Sequence, residues 1–134
     1  MSRSIAFAAT LAALPLMTGT AAAQSAVQTH CGGDVIATFS GPEPSGGEQV
    51  YGITVLNSGG STWQIVTMPA GTRTPLPGTG LTIDPAQPMA LEGRGGVNEA
   101  GWTVARVRDG AAPPLAAVIP HVRVTCAMAS RRPR

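Results

Sequence analysis

Two cysteines, Cys31 and Cys126, are the residues of this chain best suited to covalent chemistry. In an exported protein a lone pair of cysteines forms a disulfide by default. The bridge would close a loop of about 94 residues, for which loop-closure entropy gives a stabilisation of roughly 4–5 kcal/mol. Two buried free thiols are the alternative. A redox-active pair is not indicated, because the cysteines lack the close Cys-x-x-Cys spacing.

The chain also carries the ligand types of a copper site, namely Cys, His and Met. A blue-copper site gathers these ligands on one loop near the C-terminus, whereas no histidine follows Cys126. A disulfide would also remove both thiols. We therefore expect no metal and no cofactor, with methionines filling the core and its rim. A small copper or ligand carrier is kept as an alternative, with these candidate ligands: His30, Cys31, Met68, Met89, His121 and Met128.

The residues needed for an enzyme are not grouped in the sequence. His30 and His121 are the only histidines and lie far apart, and the chain has neither a Gly-x-Ser-x-Gly elbow nor a phosphate-binding loop. Asp84, Glu92 and Glu99 are the carboxylates that could pair in space. All three fall at predicted turns, where solvated loop charges are the simpler interpretation. We therefore expect that the protein is not an enzyme.

Glycine and proline divide the chain into short segments, with 17 Gly and 12 Pro. The segments between them are rich in Val, Ile, Thr and aromatic residues, which is typical of strands. Short strands with frequent turns predict an all-β fold, an antiparallel β-sandwich of about seven strands. The predicted strands are Asp34–Ser40, Gln49–Leu56, Thr62–Met68, Gly80–Ile83, Pro88–Glu92, Trp102–Arg108 and Leu115–Thr125, the last bent at Pro120.

Alternation along the strands predicts which side chains face the core. Val35 shares its parity with Cys31, and Val122 shares its parity with Cys126, so both cysteines are expected on the core side. The sequence does not determine which side chains of the sixth strand face the core. Either Arg106 faces solvent with Trp102 at a rim, or a bulge lies between Val104 and Arg106. Trp63 and Trp102 are expected to be core anchors.

The N-terminal segment has the pattern of a secretory signal. Arg3 precedes an apolar run from Ile5 to Met17, and small residues in an A-x-A pattern end at Ala23. A membrane anchor is the alternative, but the run is shorter than the roughly 20 apolar residues that a spanning helix needs. We expect a signal peptide over residues 1–23, cleavage near Ala23, a periplasmic location and no membrane attachment afterwards.

The charge pattern is that of an ordinary soluble domain. The chain has nine Lys and Arg residues, all of them arginine, against seven acidic residues, for a net charge of +2. Three of the arginines lie in the last four residues, so residues 131–134 are expected to form a basic C-terminal tail after a sandwich domain over residues 24–130. A nucleic-acid binder carries a stronger basic patch than this, and no nucleic-acid partner is expected.

Four segments in a fixed order carry a resemblance to a known family. They are Ile53–Ser58, Trp63–Met68, Leu81–Leu91 and Thr103–Gly110. Together they resemble the periplasmic curli-subunit inhibitors, the CsgC/CsgH-like family. Pro85–Leu91, with the sequence PAQPMAL, is the most specific of the matching pieces. The CsgC branch carries Cys-x-Cys where this chain has Gly59-Gly60-Ser61, and this chain continues past Pro120, so the likeness is nearer to the CsgH-like branch.

The resemblance implies both a fold and a function. Members of the family are seven-stranded immunoglobulin-like sandwiches that keep the major curli subunit soluble in the periplasm, without enzymatic activity. It implies a monomeric chaperone whose partner is a curli-type amyloid subunit. The strands that match the family's proposed contact surface give the candidate client-binding residues: Gln64, Val66, Arg73, Arg106 and Arg108. A solvated strand face is the alternative for the arginines.

A second function class is also open on the sequence. The segment Asn57–Thr62, which reads NSGGST after a strand, is common in cell-adhesion repeats. It would make the protein an immunoglobulin-like structural, adhesion or assembly module of the cell envelope.

Overall fold

The computed structural model describes residues 23–71, 80–93, 96, 98–108 and 110–128. Three predicted features lie outside these residues: the signal peptide apart from Ala23, the candidate contact residue Arg73, and the basic tail 131–134. Within the described part of the chain, no helix has the length and hydropathy that a membrane-spanning helix requires.

The described chain is an all-β sandwich of two antiparallel sheets, as the turn-rich sequence predicts. Its strands are β1 Gln24–His30, β2 Val35–Ser45, β3 Glu48–Asn57, β4 Trp63–Pro69, β5 Leu81–Ile83, β6 Gln87–Leu91, β7 Glu99–Val107 and β8 Val122–Met128. The first sheet has the order β1-β2-β3-β7-β5, and the second has the order β6-β4-β8. All paired neighbours run antiparallel.

Strand β1 is absent from the sequence prediction, and it raises the strand number from about seven to eight. It pairs with β2 over its whole length, from Gln24 opposite Gly41 to His30 opposite Val35. Its one large apolar side chain, Val27, is exposed. Because no apolar alternation marks this segment, the hydrophobic pattern gives no strand signal there.

The predicted strand Leu115–Thr125 is wrong in its first half. Leu115–Val118 forms a short helix, α1, and a 3-10 turn over Ile119–His121 follows before β8 begins at Val122. The apolar spacing fits a helical turn, because Leu115 and Val118 lie three positions apart and both are buried. Pro120 fits the start of the 3-10 turn, where its missing N–H leaves no bond unmade.

One core joins the two sheets. The first sheet contributes Phe39, Tyr51 and Val55, the second contributes Ile65 and Leu91, and all five are almost inaccessible to solvent. Helix α1 adds Leu115 and Val118 to the same core. Tyr51 is held at its polar end as well, because its hydroxyl donates to the carbonyl oxygen of Pro113. Burial of the ring raises the pKa of Tyr51.

Strand β2 continues past the predicted turn at Gly41-Pro42 and ends at Ser45. The peptide bond between Gly41 and Pro42 is cis, and the pairing with β3 shifts register between Ser40 and Glu43. Gly41 has φ +133°, and a Cβ there would lie 2.9 Å from the ring of Tyr51. Glycine is therefore the residue that lets β2 cross the core tyrosine at this point.

The sequence leaves open which side chains of the sixth predicted strand face the core. A bulge in β7 answers this. Tyr51 pairs with Ala105 and Gly52 pairs with Thr103, so Val104 is the extra residue. Val104 and Ala105 are both buried as a result, and Arg106 between Ala105 and Val107 points outward. Of the two alternatives, the bulge is the correct one.

The predicted disulfide is present: Cys31 is bonded to Cys126, with 5.6 Å between their Cα atoms. Cys31 lies in a 3-10 turn, Cys31–Gly33, between β1 and β2, so the strand-parity argument does not apply to it. Cys126 lies on β8, opposite Ile65. The bond therefore joins the end of β1, an edge of the first sheet, to β8, an edge of the second.

Asn57, at the end of β3, is completely buried and uses its whole carboxamide. Its Nδ2 donates to the carbonyl oxygens of Ser61 at 2.8 Å, Leu91 at 3.1 Å and Glu92 at 3.3 Å. Its Oδ1 accepts from the N–H of Gly59 at 3.0 Å. One side chain thus ties the end of β3 to the loop before β4 and to the end of β6, across the two sheets.

We expect Asn57→Ala to lower the free energy of unfolding by about 3 kcal/mol or more, because it removes a fully buried carboxamide together with all of its hydrogen bonds. Denaturant unfolding of the oxidised protein measures the change. The matched control is Ser58→Ala, at an exposed neighbour whose hydroxyl donates only to the carbonyl oxygen of Asp34. That control should lose less than about 1 kcal/mol. Equal losses in the two variants would contradict the role given to the Asn57 carboxamide.

Candidate functional site

Two of the candidate metal ligands, His30 and Cys31, are already bonded within the protein. No group of three or more His, Cys, Asp or Glu side chains that could hold a metal ion occurs among the described residues. Both cysteines are in the disulfide, so neither offers a thiolate. His30 donates from Nε2 to Oε1 of Gln28 at 2.9 Å, and burial lowers the pKa of its imidazole.

The three candidate carboxylates lie at the ends of different strands. Asp84 follows β5 and pairs with Arg106 near the end of β7, whereas Glu99 begins β7. Glu92 lies beyond the end of β6, where its backbone carbonyl accepts from Asn57. The carboxylate of Asp84 is thus bonded to an arginine.

Gln64 and Val66 lie on the outward side of β4, the central strand of the smaller sheet. Ile65 and Thr67 alternate with them and are buried in the core. Gln64 lies between Ala90 of β6 and Ala127 of β8 in the pairing register. Val66 lies between Pro88 and Thr125. We call these six residues the β4 face: Gln64, Val66, Pro88, Ala90, Thr125 and Ala127.

The β4 face is uncharged, and all of its side chains are short except that of Gln64. All of its residues are exposed except Val66, which is half-buried. A charge appears only at its border, where Arg123 pairs with Met68. Short side chains allow another layer of strands to approach closely, since sheets stacked face to face lie about 10 Å apart. This face therefore has the composition of a surface on which an extended, uncharged segment could stack.

Arg106 and Arg108 meet two carboxylates on the other sheet. Arg106 makes a bidentate interaction with Asp84: Nε donates to Oδ1 at 3.1 Å and Nη2 donates to Oδ2 at 2.9 Å. Its Nη1 lies 3.5 Å from Oε1 of Glu48, and Nη2 of Arg108 lies 3.3 Å from Oε2 of the same carboxylate. The hydrogen bonds and charge of Asp84, with a smaller effect of Glu48, raise the pKa of Arg106.

This charge cluster is balanced, with two arginines and two carboxylates. The side chain of Arg106 is 40% exposed and that of Asp84 is 11% exposed, so their pair is partly shielded from water. The side chain of Arg108 is 78% exposed, and its one ion pair among the described residues is with Glu48. Arg108 is therefore the cation of the two that remains accessible to another molecule.

The candidate contact residues fall on two separate surfaces. The structure brings Gln64 and Val66 together on the outer side of the smaller sheet, and Arg106 and Arg108 together on the larger sheet. The shared core lies between the two sheets, so the β4 face and the charge cluster point away from each other. Arg73 lies outside the described residues.

Both tryptophans lie in the layer between the sheets, as core anchors do. Trp102 of β7 donates from Nε1 to Oγ1 of Thr67, at 2.8 Å, and so joins the larger sheet to β4. Trp63 of β4 donates from Nε1 to Oδ2 of Asp34 at 3.0 Å, just before β2. Their rings pack against the core, and each indole N–H has a partner on the other side of the sandwich.

The segment Asn57–Thr62 has a structural role that accounts for its composition. Asn57 supplies the buried carboxamide, and a Cβ on Gly59 would collide with the carboxylate of Asp34. Asn57 and Gly59 of the segment that suggested an adhesion-type repeat thus have structural roles in this loop.

Sequence reasoning missed Glu48 and Asp84 as partners of the arginines. Val50 and Thr82 flank Arg106 in the pairing register, so the two carboxylates reach it from β3 and from the end of β5. Only knowledge of the β3-β7-β5 order would predict this meeting.

No protein-family model, curated protein or solved structure matches the chain.

We expect Arg106→Ala to lower the free energy of unfolding by about 1–2 kcal/mol, because it leaves the shielded carboxylate of Asp84 without its two hydrogen bonds. Arg108→Ala should cost less than about 0.5 kcal/mol, since its single ion pair is exposed. Urea unfolding at neutral pH measures both. Arg106→Lys is the matched control: it keeps the charge and should recover only part of the loss. If Arg108→Ala proves the more destabilising change, the cluster is not organised around Arg106.

Proposed function

We propose that this protein is a periplasmic chaperone that delays the amyloid assembly of a curli-type fibre subunit. The proposal is supported by the ordered resemblance over residues 53–110 and by the β4 face of the sandwich. That face is the observation that carries it: an exposed, uncharged surface on the central strand of the smaller sheet, with Gln64 and Val66 at its middle.

The physical basis is competition for side-chain packing. Amyloid grows when identical strands stack and their sheets interdigitate through dry interfaces, in which amide ladders contribute. Gln64 offers an amide and Val66 a β-branched side chain, flanked by Ala90, Ala127 and Thr125. A client strand held against this face is withheld from the second sheet that it needs for a stable nucleus.

The contact is a face and not a pocket, so the binding is transient. A shallow sheet surface buries little area in comparison with a stable protein–protein interface of about 1,200–2,000 Å². Nuclei are rare compared with free subunits, so a weak inhibitor that acts on nuclei works well below an equal molar ratio. No catalytic step, metal, cofactor or free thiol enters this mechanism.

The arginines have a secondary part in the proposal. Asp84 and Glu48 compensate Arg106, whereas Arg108 remains largely exposed and can attract an acidic or amide-rich client over a short range. Such attraction is screened beyond about 8 Å at physiological ionic strength. Because the two surfaces point away from each other, one client segment cannot contact Gln64 and Arg108 at once.

We expect the wild-type protein, added well below equimolar, to lengthen the lag of amyloid formation by a purified curli-type subunit, followed by dye fluorescence. The double change Gln64→Glu and Val66→Glu should shorten that lag towards the value without chaperone, because it places two charges on the β4 face. The matched control is Thr54→Glu, an exposed position on the central strand of the larger sheet. The control should inhibit like the wild type.

Thermal melting of each variant shows that the fold is intact. Repeating the assay with Arg108→Ala and at high salt tests the arginine contribution separately. If the wild-type protein leaves the lag unchanged at every ratio, the proposed function is wrong. If the β4-face variant and the wild type inhibit equally, the function stands and the contact lies elsewhere.

A further inference from the structure

Among the described residues the sandwich has four edge strands, β1 and β5 in the larger sheet and β6 and β8 in the smaller one. Edge strands expose unpaired backbone groups, and proteins block them with short length, charge or proline. Strand β5 has three residues, β6 contains Pro88, and β8 carries Arg123. Three of the four edges in the described structure are thus blocked by a recognised device.

Strand β1 has none of these three devices, and helix α1 contacts it at its first residue, where the N–H of Leu115 donates to Oε1 of Gln24 at 2.9 Å. The strand is seven residues long, with the sequence QSAVQTH, and contains neither a proline nor an Asp, Glu, Lys or Arg. Its outward residues Ser25, Val27 and Thr29 are exposed, and Val27 is 65% accessible. Val27 and Met128 are the two exposed large hydrophobic residues of the described chain. An edge of this kind favours the addition of another strand.

The residues of β1 are complementary to themselves in the antiparallel direction. If two copies meet with their Val27 residues opposite each other, Ser25 lies opposite Thr29 and Ala26 lies opposite Gln28. Hydroxyl side chains then face each other, a small residue faces a long amide, and the two valines cover one another. Such cross-strand pairs stabilise a sheet, and no like charges meet.

We propose that β1 is a self-association edge, at which two copies of this chain pair their β1 strands antiparallel about Val27 and join their larger sheets into one continuous sheet. The interface is isologous, because each copy contributes the same strand to a two-fold axis. The match of β1 to its own reverse selects a second copy over an unrelated strand. This inference does not rest on the proposed function.

The pairing is weak and depends on concentration. Seven residues of one strand bury less than the roughly 1,200 Å² of a stable interface, so we expect a Kd of about 0.1–1 mM. Dilute protein is then monomeric, as the family resemblance implies, and the dimer forms where the protein is concentrated. The β4 face lies on the other sheet and stays exposed in the dimer.

Sedimentation equilibrium of the oxidised, exported protein from about 10 µM to about 1 mM should show a rise from monomer to dimer mass. Val27→Lys should weaken the dimer at least about tenfold, because two positive charges then lie directly opposite each other. The matched control is Ala86→Lys, which adds the same charge at an exposed position between β5 and β6, outside both β1 and the β4 face. The control should dimerise like the wild type.

Amide hydrogen exchange identifies the strand involved. Exchange at residues 24–30 should slow at the highest wild-type concentration and remain unchanged in the Val27→Lys variant. A monomer at all concentrations overturns the proposal, and so does a dimer that Ala86→Lys disrupts and Val27→Lys does not. A synthetic peptide with the β1 sequence should shift the NMR signals of the backbone amides in β1. Equal shifts from a scrambled peptide would show an edge that accepts any strand, and would overturn self-recognition.

Discussion

The buried carboxamide of Asn57 is the interaction on which the two-sheet arrangement depends. Leu91, at the inner end of β6, and Ser61, before β4, both direct carbonyl groups to it. The same residue's backbone N–H donates to the carbonyl oxygen of Asn98, just before β7, at 2.8 Å. Strand ends from both sheets therefore share one fully bonded residue. A buried polar group with every partner in place fixes a single geometry, whereas apolar contacts alone allow several.

The remaining cross-sheet links act at other points of the same sandwich. Trp102 bonds Thr67, Trp63 bonds Asp34, and the disulfide joins β8 to the end of β1. These contacts occupy the polar groups of the inner layer, and no buried side-chain nitrogen or oxygen in the described part of the chain lacks a partner. What is left for recognition lies on the outer faces and at the strand edges.

A feature of the fold or of the site could be predicted from the sequence when its signal lies in residues that are close together in the chain. The alternation at Val122, Val124 and Cys126 correctly placed that cysteine on the core side, and glycine and proline marked most turns. Three features were not local. β1 is a strand because β2 offers it a partner, although its only large apolar residue faces water. Leu115–Val118 is apolar enough for either a strand or a helix. Arg106 meets Asp84 only because β5 pairs with β7.

The choice between faces and edges has a physical consequence for a protein that meets amyloid-forming strands. A client strand captured at an edge would present a fresh row of unpaired N–H and C=O groups, and so would extend a sheet instead of ending it. A strand held against the β4 face is not hydrogen-bonded into this protein's sheet, so it does not lengthen that sheet. Pro88 and Arg123 block the two edges that border that face, which would keep a strand on the face from pairing alongside it. The one long uncharged edge among the described strands, β1, lies on the other sheet. Pairing of β1 with its own copy closes that edge in a finite, two-fold manner, so the protein does not itself become a template for growth.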